Sequence, residues 1–207
     1  MIKVSEMTGK LKGVPAVNTS PLDNPFCEKM SKVEGSICSF CYSRKMVAGI
    51  RRNCRKGWKE NGEVLSSGLI GEKTIKAMRI PEKAVNGIVR FSAHGELINE
   101  FHCWNLIQIA RVHPDITFAL WTKRLDIVRN CLDVVSKPEN LIIIYSNPTV
   151  DSIIPVAILQ VRYPFVDKVF NVISNDSDAV NCGARSCATC QLCYSKDTTS
   201  EIIEKLK

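Results

Sequence analysis

The sequence has no apolar run long enough to span a membrane. Its first ten residues, "MIKVSEMTGK", carry neither the apolar stretch nor the small-residue cleavage site of a secretory leader. The expectation is therefore a soluble cytoplasmic protein with no membrane partner. No low-complexity tract or short repeat interrupts the chain. Charge of one sign is only modestly in excess: +7 over 207 residues admits an anionic substrate or partner without requiring one. With 45% hydrophobic residues the chain can bury a core as a single domain over 1–207.

Cysteine is what the sequence does have. Ten occur, too sparse in 207 residues for a small disulfide-stapled scaffold. In a reducing compartment such a pattern points to metal or redox chemistry instead. Near the C-terminus, "NCGARSCATCQLCYS" places Cys182, Cys187, Cys190 and Cys193 in a C-x4-C-x2-C-x2-C run. The overlapping CxxCxxC core sets three sulfurs around one small space, as iron–sulfur clusters require, with Cys182 the nearest fourth ligand. Zinc, the alternative metal, usually takes two separated CxxC knuckles. A second group lies in "CEKMSKVEGSICSFCYSRK", with Cys27, Cys38 and Cys41, and Cys54 follows thirteen positions later. Three thiolates would leave one iron of a 4Fe-4S cube open to a cofactor or substrate, whereas Cys54 as a fourth would close the site. Cys103 and Cys131 fall within apolar helical patterns and are assigned to the core.

Four short β-branched runs recur about every 27 residues: Gly87 to Ala93, Ile116 to Thr122, Leu141 to Ser146 and Lys168 to Ser174. Helical patterns separate them, at "INEFHCWNLIQIARV", "RLDIVRNCLDVV" and around "IIPVAILQV", where Pro155 intervenes. Alternation of this kind predicts a parallel α/β sheet, either doubly wound or an incomplete βα barrel. Ligands in such folds gather at the carboxyl ends of the strands. Those ends carry His94 and Glu96; Thr122, Lys123 and Arg124; Ser146 and Asn147; and Ser174, Asn175 and Asp176. Residues 1–60 are read as a Gly/Pro-rich loop followed by one basic helix from Cys41 to about Glu60, residues 61–176 as the βα repeats, and 177–207 as the second cysteine site and a terminal helix in "TSEIIEKLK". The basic helix, with Arg44 to Lys59 and Trp58, offers a non-enzymatic alternative: a metal-stabilised protein that holds nucleic acid by phosphate contacts and stacking, or one that senses redox state.

Several segments carry a resemblance. "CSFC" resembles the end of the radical S-adenosylmethionine (SAM) signature, C-x3-C-x-aromatic-C, although ten residues rather than three separate Cys27 from Cys38. "VRFSAHGELIN" resembles the segment of that superfamily whose Gly-Gly-Glu motif meets the methionine end of SAM, with His94, Gly95 and Glu96 at the matching place. The order of segments, from "GVPA" through the cysteines to the "WTKR" strand end and the C-terminal cysteine run, resembles the phage gene-product-88 family. The resemblance implies an incomplete radical-SAM-like barrel in the host cytoplasm. It also implies a 4Fe-4S cluster on Cys27, Cys38 and Cys41, and a 5'-deoxyadenosyl radical made from SAM with an electron from a donor. Gly95 and Glu96 would steady the methionine end, with Ser146 and Asn147 on the same rim, and the C-terminal cysteines would hold an auxiliary cluster. The substrate is not specified.

Overall fold

A computed structural model describes residues 1–80 and 87–206. The four expected strands form within a residue or two of their predicted bounds, as β3 (Ile88–Phe91), β4 (Thr117–Thr122), β5 (Leu141–Ser146) and β6 (Lys168–Ile173). They pair in parallel. Both faces of each are buried, which is why they read as near-continuous apolar runs. Three further strands complete a seven-stranded, mostly parallel, open sheet in sequential order: β1 (Val4–Ser5), β2 (Ala16–Val17) and β7 (Glu201–Lys205). Only β1 and β2 are antiparallel to each other.

β7 corrects the expected terminal helix. Its Glu and Lys residues favour helix, but a piece this short is marginal as an isolated helix. The free edge of β6 supplies a full row of partners from Val169↔Glu201 to Ile173↔Lys205, and Ile202 and Ile203 are buried by the pairing. The expected single basic helix is likewise two: α2 (Tyr42–Ala48) and α3 (Arg55–Ser66), separated at Gly49 and a 3-10 turn over Arg52–Cys54. The N-terminal loop holds β1, β2, a 3-10 turn at Gly9–Leu11 and α1 (Pro25–Met30). α4 is Glu72–Lys76. α5 (Glu100–Val112) begins where the Asn99 side chain accepts from His102 N and ends before Pro114. α6 is Leu125–Leu132. α7 (Val156–Arg162) starts directly after Pro155, so that proline precedes the helix instead of interrupting it. Among the described residues no helix is long and apolar enough to cross a membrane.

Sequential parallel order sends successive right-handed crossovers the same way, so their helices share a face. The packing agrees. Val89, Phe91, Phe118, Leu120, Leu141 and Ile143 form one core with Leu106 and Ile109 of α5 and Ile127 and Val128 of α6. The alternate strand residues, Ile88, Ala119, Trp121, Ile142 and Ile144, are covered instead by Val14 near the N-terminus and by Ala188 and Tyr194 near the C-terminus. Both chain ends thus fold over the face of the sheet opposite α5 and α6. Cys103 and Cys131, buried between α5 and α6, belong to the core as expected.

Candidate functional site

A cavity of about 570 Å³ opens over the face opposite α5 and α6 and the carboxyl ends of the strands. Cys27, Cys38 and Cys41 line it together with Cys182, Cys187 and Cys193, so both cysteine groups meet one space. Local structure places each. The Asn24 side chain caps α1 by accepting from Phe26 N and Cys27 N, and its Nδ2 donates to Glu96 O at 2.8 Å, which fixes Cys27 beside the end of β3. Ile37 N donates to Pro148 O at 2.8 Å, and Ser36 bridges to Thr149 while its hydroxyl accepts from Cys38 N; together these set Cys38 beside the end of β5. In the second group Cys182 N donates to Ile203 O of β7. α8 (Cys187–Cys190) ends at Gln191, whose left-handed φ of 54° turns the chain back toward Cys193.

Burial pushes the thiols of Cys27 and Cys38 up. For Cys27, Glu96 and the two neighbouring thiols act in the same direction, and Lys123 opposes them. Burial also holds Cys193 at about 12, with Cys182, Cys187 and Cys190 adding to the rise and Arg90 opposing it. The two groups are therefore electrostatic units, each with its own cation. Among the described residues no three His, Cys, Asp or Glu side chains lie close enough to hold a metal ion as they stand. Cys190 is exposed and does not line the cavity, and Cys54, at the start of α3, does not line it either.

Of the strand-end residues, His94, Gly95, Glu96, Lys123 and Ser146 line the cavity. Asn147 does not: its side chain is used up on Asn171, Ser152 O and Thr149 N. Ser174 instead donates to Asp151, and Asp176 pairs with Lys205. Glu96 is nearly saturated by the fold, accepting from Leu97 N at 2.8 Å, Thr122 Oγ1 at 2.6 Å and Lys123 N at 2.8 Å. Gly95 has φ +84°, and a Cβ there would meet Thr19 Oγ1 at 2.1 Å, so close approach to the Thr19 segment requires glycine. Ser92, just past β3, is also left-handed at φ 58°, a strained state for a residue with a side chain. His94 shares a 2.8 Å hydrogen bond between its Nδ1 and Ser43 Oγ. Burial holds its pKa at about 3, helped by Arg51 and Arg90, so it is neutral. Its ring stacks on Trp58 at 4.5 Å. Trp58 is buried, with Nε1 donating to Ser5, and cannot stack on a nucleic-acid base.

Arg90, Trp121 and Tyr194 are among the cavity residues that went unrecognised in the sequence. The one visible signal was Arg90, a charge inside the otherwise apolar run "GIVRFSA". No curated protein and no solved structure matches the chain. The gene product 88 family profile matches residues 3–196, almost the whole length, and the chain belongs to the gene product 88 family.

Proposed function

We propose that the chain is an iron–sulfur enzyme of radical-SAM type built on an incomplete βα barrel. Cys27, Cys38 and Cys41 would hold a 4Fe-4S cluster with one iron free of protein ligands, and Cys182, Cys187, Cys190 and Cys193 an auxiliary cluster. One observation carries the reading: two separate cysteine groups, far apart in sequence, open onto the same cavity at the carboxyl ends of parallel strands. The donor set fits a cluster. Thiolates suit iron and sulfide.

When bound, such a cluster supplies an electron for reductive cleavage of the sulfonium of SAM. The chain's own residues do the rest. Lys123, hydrogen-bonded to Ser146, sets a positive charge near Cys27 and Cys38 and favours their deprotonated, ligating form. Neutral His94 presents no charge that would repel a cationic sulfonium. Met7, Phe26 and Met46 give part of the cavity an apolar lining that limits water. The test is a titration of SAM into the anaerobically reconstituted protein, followed by electron paramagnetic resonance. A changed cluster signal, with 5'-deoxyadenosine formed on reduction, is the expected result. An unchanged signal with no cleavage overturns the SAM assignment.

A further inference from the structure

We propose that Arg90 and Tyr194 form an oxyanion subsite in the wall of this cavity, and that the substrate is a small organic molecule carrying a carboxylate or phosphate. The proposal rests on the cavity being the substrate chamber of the enzyme proposed above. Arg90 projects from β3 onto the face opposite α5 and α6, and its guanidinium carbon lies over Trp121, 3.6 Å from the ring centre. Trp121 in turn packs against Tyr194 with ring centres 5.6 Å apart. Two aromatic rings thus hold a planar cation in place, the arrangement that lowers the entropy lost when a guanidinium fork engages an anion.

Yet no carboxylate among the described residues neutralises that fork. Among the described residues Arg90 has no carboxylate partner, and its Nε is buried without an acceptor. The Tyr194 hydroxyl is also buried without a partner, in a residue only 5% exposed. The cavity's two carboxylates are engaged elsewhere: Glu96 with β4 and its own backbone, Glu204 with Lys10. A guanidinium without a carboxylate and with a buried, acceptor-less Nε, beside a buried phenol, is destabilising in the free protein. A carboxylate or phosphate satisfies both, since each matches the guanidinium fork and has a lone pair for the phenol. The remaining wall combines aromatic and thioether side chains with Lys10, Arg51 and Lys123, and a volume of about 570 Å³ suits an amphipathic anion of modest size.

The thiols of Cys187 and Cys193 are the rival claimants for Arg90, because both feel its charge. The experiment separates the two. Phenyl phosphate and benzoate, with benzyl alcohol as the neutral control, are titrated calorimetrically into the anaerobically prepared full chain, and iron and acid-labile sulfide are measured on the same samples. Wild type should bind one or both anions and not the alcohol, and the tighter of the two identifies the acid. Arg90→Lys and Tyr194→Phe should each weaken that anion about tenfold or more while leaving iron and sulfide unchanged. Arg90→Met should abolish anion binding and raise the melting temperature, because it removes a charge that has no carboxylate partner among the described residues and keeps the stacking stem. Anion binding unchanged in Tyr194→Phe and Arg90→Lys, or no anion binding by wild type, overturns the proposal. So does loss of iron in Arg90→Lys with anion affinity intact, which would give Arg90 to the cysteines. Because the titration needs no SAM, a failure of SAM cleavage leaves this result readable by itself.

Discussion

Replacing Glu96 with Gln should destabilise the fold, not merely weaken a ligand. The carboxylate accepts from Leu97 N, Thr122 Oγ1 and Lys123 N, and it is 4% exposed. Glutamine has one acceptor oxygen. Keeping Leu97 N and Thr122 on that oxygen turns the amide NH2 toward the Lys123 N–H, donor against donor. One charge-assisted bond is then lost and two become neutral, at about 1.5–3 kcal/mol for the first and roughly half strength for the others. Relief from burying a charge offsets part of this. The expected net loss is about 3 kcal/mol, read as a shift in urea midpoint at constant slope on the anaerobically prepared chain. The Glu96→Gln/Thr122→Val double variant should lose less than the sum of the two singles, since Thr122→Val removes a bond that Glu96→Gln has already weakened. A Glu96→Gln midpoint within about 0.5 kcal/mol of wild type would refute this account of the strand ends.

Gly95→Ala should fold poorly, because a methyl group would sit 2.1 Å from Thr19 Oγ1 on a backbone at φ +84°; a loss of about 3 kcal/mol or more is expected in the same urea assay. Stability should also fall with acid through the buried histidines. Burial holds both His94 and His102 at about 3, so the unfolded chain binds protons that the native chain refuses. Each contributes stability that is present above about pH 6.5 and lost as pH falls toward 3, at about 1.4 kcal/mol per pH unit. His102→Gln should flatten that slope if it folds. Cys54→Ala should leave iron content unchanged, whereas Cys41→Ala should lower it, as measured by metal analysis after anaerobic preparation.

The parallel strands were legible because a strand buried on both faces must be apolar and β-branched along its length, as "LIIIYS" is. β2 and β7 were not. Two residues, Ala16–Val17, carry no periodicity, and Glu201–Lys205 is a strand only because the edge of β6 is there to pair with it. The break between α2 and α3 was available in Gly49 but was outweighed by the run of basic residues around it. Cysteine spacing marked out the two groups. That they face one cavity depends on Asn24 reaching Glu96 O and Ile37 reaching Pro148 O, contacts across more than seventy and one hundred positions respectively that no local pattern encodes. Gly95 illustrates a second limit. Its resemblance to a cofactor motif was visible in the sequence, while its packing against Thr19 was not.

The central claim is that both cysteine groups hold iron–sulfur clusters. Iron, zinc and acid-labile sulfide should be counted on anaerobically prepared wild type, on the Cys27→Ala/Cys38→Ala/Cys41→Ala variant and on the Cys187→Ala/Cys190→Ala/Cys193→Ala variant. The account predicts roughly four iron and four sulfide per group, with each variant losing one set and keeping the other. Stoichiometric zinc without sulfide, or iron unaffected by either set of substitutions, would contradict it.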